Sequence, residues 1–248
     1  MRDRHAIRAL LALPVVGGLG AVLAWGFSGL PPFGDFHGFY GGLLNSIVVP
    51  QRHTTNVVTA IVFDYRGFDT MGEEFILFAA VVGVVILLRE DNAGLTRSAQ
   101  RDIVRSDAIR FFGVPMLGLV VLVGLWLAAF GLVTPGGGFQ GGVAIASGIA
   151  VLYLTVGYRQ WHGLANEHLL DPVEGVGAGT YVSVGLAALV SGAPFLQNLL
   201  GPGDPGTLFS GGTMSLLNWG VAVEVAAANL VLYTEFLQRL VAPKELSR

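Results

Sequence analysis

The 248-residue chain has no cysteine, a single lysine and only 12% charged residues. Without cysteine there is no disulfide, no thiolate zinc site and no cysteine-ligated iron–sulfur cluster. A redox machine containing this chain would keep its redox centres in other chains. The one lysine, Lys244, lies beyond the last apolar run, so it neutralises no acid within the apolar segments. The five histidines are scattered: His37 and His53 fall in one loop, and His162 and His168 are six apart, poor spacing for a shared metal on one helix. No nucleophile–base–acid arrangement is present, and nothing points to a cofactor, a metal or nucleic acid. These absences argue against a self-contained enzyme.

What remains is overwhelmingly apolar, with 53% hydrophobic residues and 36 glycines. Runs of about 18 or more apolar residues read as membrane spans. Six occur, at about 8–27, 71–89, 111–132, 139–158, 174–194 and 213–237. The expected fold is all-α and integral to the membrane, with about six transmembrane helices and a short membrane-entering or interfacial segment around 53–68. The glycines suit close helix packing in lipid. Arg2, Arg4 and Arg8 before the first run could open a signal peptide, but the run to Phe27 is long and Ser28–Pro32 offers no small-x-small cleavage site. A retained helix is expected.

Lys and Arg positions set orientation. If six helices alternate, twelve of the fourteen basic residues share one side, and only Arg52 and Arg66 fall on the other. Both termini are therefore expected in the cytoplasm of a multi-pass inner-membrane protein. Two apolar blocks, 1–92 and 108–248, are joined by a polar linker at 93–107. Arg101, Arg105 and nearby acids suit either a surface helix or a solvated connection. The outer loop 195–212 carries the turn sequence GPGDPG and no evident chemistry.

The stretch Thr54–Glu90 concentrates the chemistry, because Asp64, Asp69, Glu73 and Glu74 lead directly into an apolar helix. An ionised carboxylate in hydrocarbon costs roughly 2.5 kcal/mol or more. Acids kept there touch a watery path, hold a proton or meet a cation. Asp69 and Glu73 are four apart and share a helix face, where two carboxylates in low dielectric resist joint ionisation. Alternatively, Asp64, Arg66 and Asp69 form an interfacial cap. Glu73, one turn deeper, is the stronger ion-path candidate, and Glu74, about 100° away, the weaker. Glu224 sits mid-span beside Gly220, Ala227 and Ala228, and suits either a buried anchor or an ion path. Asn218 and Asn229 are expected to hydrogen-bond between helices. TPGGGFQGG at 134–142 opens the fourth span, with Pro135 suited to its first turn and Gly138 and Gly142 forming a GxxxG pair.

Two segments resemble the multisubunit Mrp-type cation/proton antiporters. NVVTAIVFDYRGFDTMGE at 56–73 resembles the signature near the C-terminal end of their large A subunit, a module also found as a small subunit of membrane-bound hydrogenases related to complex I. TPGGGFQGGVAIASGIAVLYL at 134–154, with SGAPFL at 191–196, resembles the B subunit, the MnhB-type domain. The order implies a fusion of an A-type module (1–92) with a B-type module (108–248). The resemblance implies a subunit of a sodium/proton antiporter, or of a respiratory complex that borrows the antiporter part. Its implied partners are other subunits, Na+ or H+, and lipid. It implies an ion-path role for Glu73, whose signature also contains Asp64 and Asp69. Pro135, Gly136, Gly137, Gly138 and Phe139, with Gly141 and Gly142, match the B-type motif. The long pump-like part of the A subunit would come from another chain. Complex I-type pump subunits use buried lysines, which this chain lacks. Where B subunits often carry an acid in the last span, this chain has Asn218-Trp219, with Glu224 further along.

Overall fold

The computed structural model describes residues 2–35, 38–92, 106–157, 161, 163 and 166–241, and every regular element among them is helical. Most of the expected linker therefore lies outside the described residues. So do His37, His162 and the C-terminal basic residues Lys244 and Arg248.

The chain divides into two compact units, Met1–Leu43 and Leu44–Arg248. The first contains α1 (Arg2–Ser28), whose apolar stretch Ala12–Ser28 is shorter than the other spans. Leu19, Val22 and Trp25 on it are exposed. Helix α2 (Phe39–Arg52) starts in this unit and continues into the second.

Among the described residues of the second unit, five helices are long and apolar enough to cross a membrane: α4 (Gly67–Asn92), α5 (Asp107–Ala129), α6 (Gly138–Val156), α7 (Glu167–Val190) and α8 (Thr213–Val241). The protein is thus an all-α integral membrane protein. Helix α7 starts seven residues before the expected span. The expected span begins at Glu174, and the helix takes in Asp171 and Pro172 before it.

Helix α8 is the hub, packing against α4, α6 and α7, while α5 packs on α6. Backbones approach closely where glycines meet it. A Cβ placed on Gly138 would lie 2.0 Å from the Asn218 carbonyl oxygen, and one on Gly142 2.7 Å from that of Ala222. Gly141 turns the other way, towards Gly124 of α5. Asn218 fastens three helices together: its Oδ1 accepts from the Gly138 N–H at 2.7 Å and its Nδ2 donates to the Ala128 carbonyl at 2.8 Å. Asn229, by contrast, donates within its own helix to Val225. Pro135 also departs from expectation. Gly136 and Gly137 hold φ of +148° and +145°, a glycine region that delays α6 to Gly138 and leaves Pro135 in the preceding turn.

The short segment expected around 53–68 is α3 (Val57–Ala60) followed by a π-helical turn, Ile61–Tyr65. It is latched to the C-terminal end of α5. Asn56 Nδ2 donates to Gly131 O at 2.7 Å and Thr134 O at 2.9 Å, and Thr59 Oγ1 donates to Gly131 O at 2.6 Å. Thr54 and Thr55 donate to Leu132 and Val133 carbonyls. These carbonyls belong to the turn that follows the C-cap residue Phe130 of α5. Irregular backbone at membrane depth persists only when protein satisfies it, and this latch does so. Asn56 also caps α3, accepting from the Val58 and Thr59 amides. Asn56→Leu is therefore expected to destabilise the chain by about 2–4 kcal/mol, since it strands several buried groups at once. Thermal unfolding in detergent measures this, and Thr55→Val, at an exposed position, should lose far less.

Candidate functional site: a line of buried acids

Helix α4 begins at Gly67, so Asp69 falls in its first turn and Glu73 and Glu74 in the next. Glu74, not Glu73, turns inward: it is 3% exposed, whereas Glu73 is exposed. Glu224, halfway along α8, is fully buried. The two carboxyls lie within hydrogen-bonding reach of each other. Neither Glu224 oxygen receives a hydrogen bond from a donor group, nor does Glu74 Oε2. Two acceptors in contact form a hydrogen bond only when one carries a proton. Among the described residues, no Lys or Arg is among the charges acting on either group.

Helix α7 supplies the next members. A Cβ on Gly177 would lie 2.5 Å from Glu224 Cβ, and one on Gly220 2.8 Å from Thr180 Cβ, so α7 and α8 run antiparallel in close contact. Glu174, one turn before Gly177, is 3% exposed, acts electrostatically on Glu224 and has an unpartnered Oε1. Asp171 lies close to it. Tyr181, buried on the same helix, feels Glu73, Glu74 and Glu224. Glu235 is buried eleven residues beyond Glu224, about 16 Å further along α8. Glu74, Glu224 and Glu174 thus bring together α4, α8 and α7 through buried acids. Glu174 and Glu235 were not singled out from the sequence. The one legible signal was an acid within helical reach of Gly175 and Gly177.

Asp64 and Asp69 sit elsewhere, in a separate cavity of about 830 Å³. Each pairs with an arginine: Asp64 Oδ1 with Arg52 Nε at 2.7 Å, and Asp69 Oδ2 with Arg66 Nε at 2.6 Å. Arg52 also lies 5.1 Å from the Tyr65 ring centroid. Burial pushes the Tyr65 phenol up; the Arg52 guanidinium opposes this and Asp64 adds to it. A second cavity, about 280 Å³, lies between Glu73 and Glu74 on one side and Gly136–Gln140 on the other. Phe139 of the glycine-rich motif is half exposed and lines this cavity. Among the described residues no cluster of three or more His, Cys, Asp or Glu could hold a metal.

A helical membrane protein with unneutralised acids buried between its spans belongs to the class of ion-handling membrane subunits. Residues 108–231 match the family described as a domain related to the MnhB subunit of Na+/H+ antiporters, and residues 8–105 match the family of the E subunit of MBH. The chain belongs to the MnhB-related family and is a subunit of an Mrp-type antiporter or a related membrane complex. A Methanocaldococcus jannaschii protein is 28% identical over 206 residues, 74% of this chain and 78% of that protein. A probable K+/H+ antiporter A/B subunit of Rhizobium meliloti is 31% identical over 169 residues, 58% of this chain but 16% of that protein. Among solved structures, a chain of the membrane-bound sulfane sulfur reductase, an archaeal respiratory membrane complex, superposes with a TM-score of 0.70 at 26% identity, covering 96% of this chain and all of that one. The Mrp complex of a Dietzia species shares the fold, with a TM-score of 0.70 at 24% identity over all of this chain and 27% of that one.

Proposed function

We propose that this chain carries part of the proton or cation path of its complex, along Glu74, Glu224 and Glu174, and catalyses no reaction of its own. The observation that carries the proposal is the buried contact between the Glu74 and Glu224 carboxyls, which no described basic side chain neutralises. A pair that shares one proton spreads a single negative charge over two carboxyls, and a second proton neutralises it, so the pair can take up and give back a proton at a fixed place. Glu174 and Glu235 extend the line towards the end of α8 that sequence charge assigns to the cytoplasm, together with both termini. Glu73 stands at the cavity that opens beside Glu74. Asp64 and Asp69 stand at the outer mouth, held by Arg52 and Arg66. The membrane is taken to be the cell membrane, and the 1–92 and 108–248 modules to be a fused pair. Na+ and H+ are the ions the family suggests.

Cation-dependent collapse of a proton gradient in everted vesicles carrying the whole complex tests this, with native Glu224 or Glu224→Gln. Loss of exchange in a complex of unchanged composition supports the path. Unchanged exchange would leave the chain as a scaffold whose acids complete helix interfaces. Asp69→Asn is expected to lower exchange much less than any buried-acid variant. Its ion pair is half exposed, and such pairs contribute about 0–1 kcal/mol.

A further inference from the structure

The cavity between α4 and the glycine-rich turn has a wall that the proton path does not use. Its polar lining is all oxygen or amide: Thr59, Thr70, Glu73, Glu74 and Gln140. No histidine is in it. Oxygen donors of this kind suit hard cations rather than soft ones. Glu74 is the inner wall, nine-tenths buried and more, with an Oε2 that meets no hydrogen-bond donor. The Thr59 hydroxyl gives its proton to Gly131 O, so its lone pairs remain free to face a cation. The cavity is bordered by the π-helical turn before α4 and by Gly136–Gly137 in the connection from α5 to α6.

We propose that this cavity binds one alkali-metal cation, held by the Glu74 carboxylate with oxygens of Thr59, Thr70 and Gln140. The site is built across the seam between segment 57–74 and the turn 134–140, so neither module contains it alone. The inference rests on the path reading above and narrows it to the place where the cation sits. The titratable groups facing Glu74 are Glu73 on its own helix, Glu224 on α8 and Tyr181 on α7. Glu74 is the one buried carboxylate of the lining and Glu73 is exposed, so a single buried charge faces the cation, which favours a monovalent ion.

Equilibrium binding of radiolabelled sodium to the purified whole complex, with unlabelled potassium as competitor, tests the site. Gln140 is exposed, so Gln140→Leu threatens the fold little. It is expected to weaken one saturable sodium site about 10- to 100-fold, as loss of an orienting ligand does. Glu74→Gln should abolish that site, and Glu224→Gln should retain it while losing exchange. Sodium binding unchanged in both Glu74→Gln and Gln140→Leu overturns the site, and if Glu224→Gln still loses exchange the path reading survives that failure. Binding lost in Glu74→Gln and Gln140→Leu, with exchange intact in Glu224→Gln, supports the site and removes the path.

Discussion

Glu74→Gln is expected to abolish cation-dependent proton exchange by the assembled complex, a loss of roughly 10²-fold or more, the scale of a positioned proton-transfer group. The substitution keeps the shape and the hydrogen-bonding capacity at the α4–α8 contact while removing the group that titrates. Because Glu74 and Glu224 share one contact, their effects are not independent: the Glu74→Gln/Glu224→Gln double variant should be no worse than either single one. A purely structural role predicts a different pattern. A Gln pair satisfies itself without a proton, so the double variant would then assemble normally and exchange at the native rate. Glu73→Gln separates the two neighbours. Glu73 is exposed beside the cavity rather than buried against α8, so a smaller loss is expected there than at Glu74. Exchange rates measured in everted vesicles, normalised to the amount of purified complex, give all four values.

The reversal between Glu73 and Glu74 shows where sequence reasoning stops. The spans were legible because a membrane demands long apolar helices, and five described ones meet that demand. Which face of a span turns inward was not. In water a helix declares its inner face by an apolar stripe, but α4 is apolar on every side between Glu74 and Arg89. One residue of offset is 100° of rotation, and only packing against α8 decides it. Glu174 was hidden for a related reason: beside Asp171 and Pro172 it looked like the polar edge of a span, whereas α7 extends through it. Asn218 was legible as an interhelical bond, since an amide in lipid must find partners on other helices. Its identical neighbour Asn229 found one on its own helix instead. The Asn56 latch was not legible at all, because its acceptors lie 75 and 78 residues away in sequence.

Gly138→Val is expected to prevent assembly of the complex, a larger effect on accumulation than any acid variant. The clash is with main chain, not with a side chain that can swing aside: the added Cβ would fall 2.0 Å from the Asn218 carbonyl oxygen and 2.9 Å from the Ala222 amide nitrogen. Helix α6 would have to move off α8, breaking the Gly138 N–H bond to Asn218 and with it the tie to α5. Overpacking alone costs about 1–3 kcal/mol, and separating the hydrogen-bonded groups adds to it. Gly177→Val should behave likewise, because its Cβ would meet Glu224 Cα and N at 2.7 Å and so displace the acid line itself. The same helix provides the control. Gly175 and Gly179 have nothing within 4 Å of an added Cβ, so Gly175→Ala should be neutral or stabilising by up to about 1 kcal/mol, the helix preference of Ala over Gly. Quantifying the complex after purification distinguishes these outcomes. If Gly138→Val assembled as well as Gly175→Ala, α6 and α8 could not be packed through that glycine, and the wall of the cavity facing Glu74 would have to be built differently.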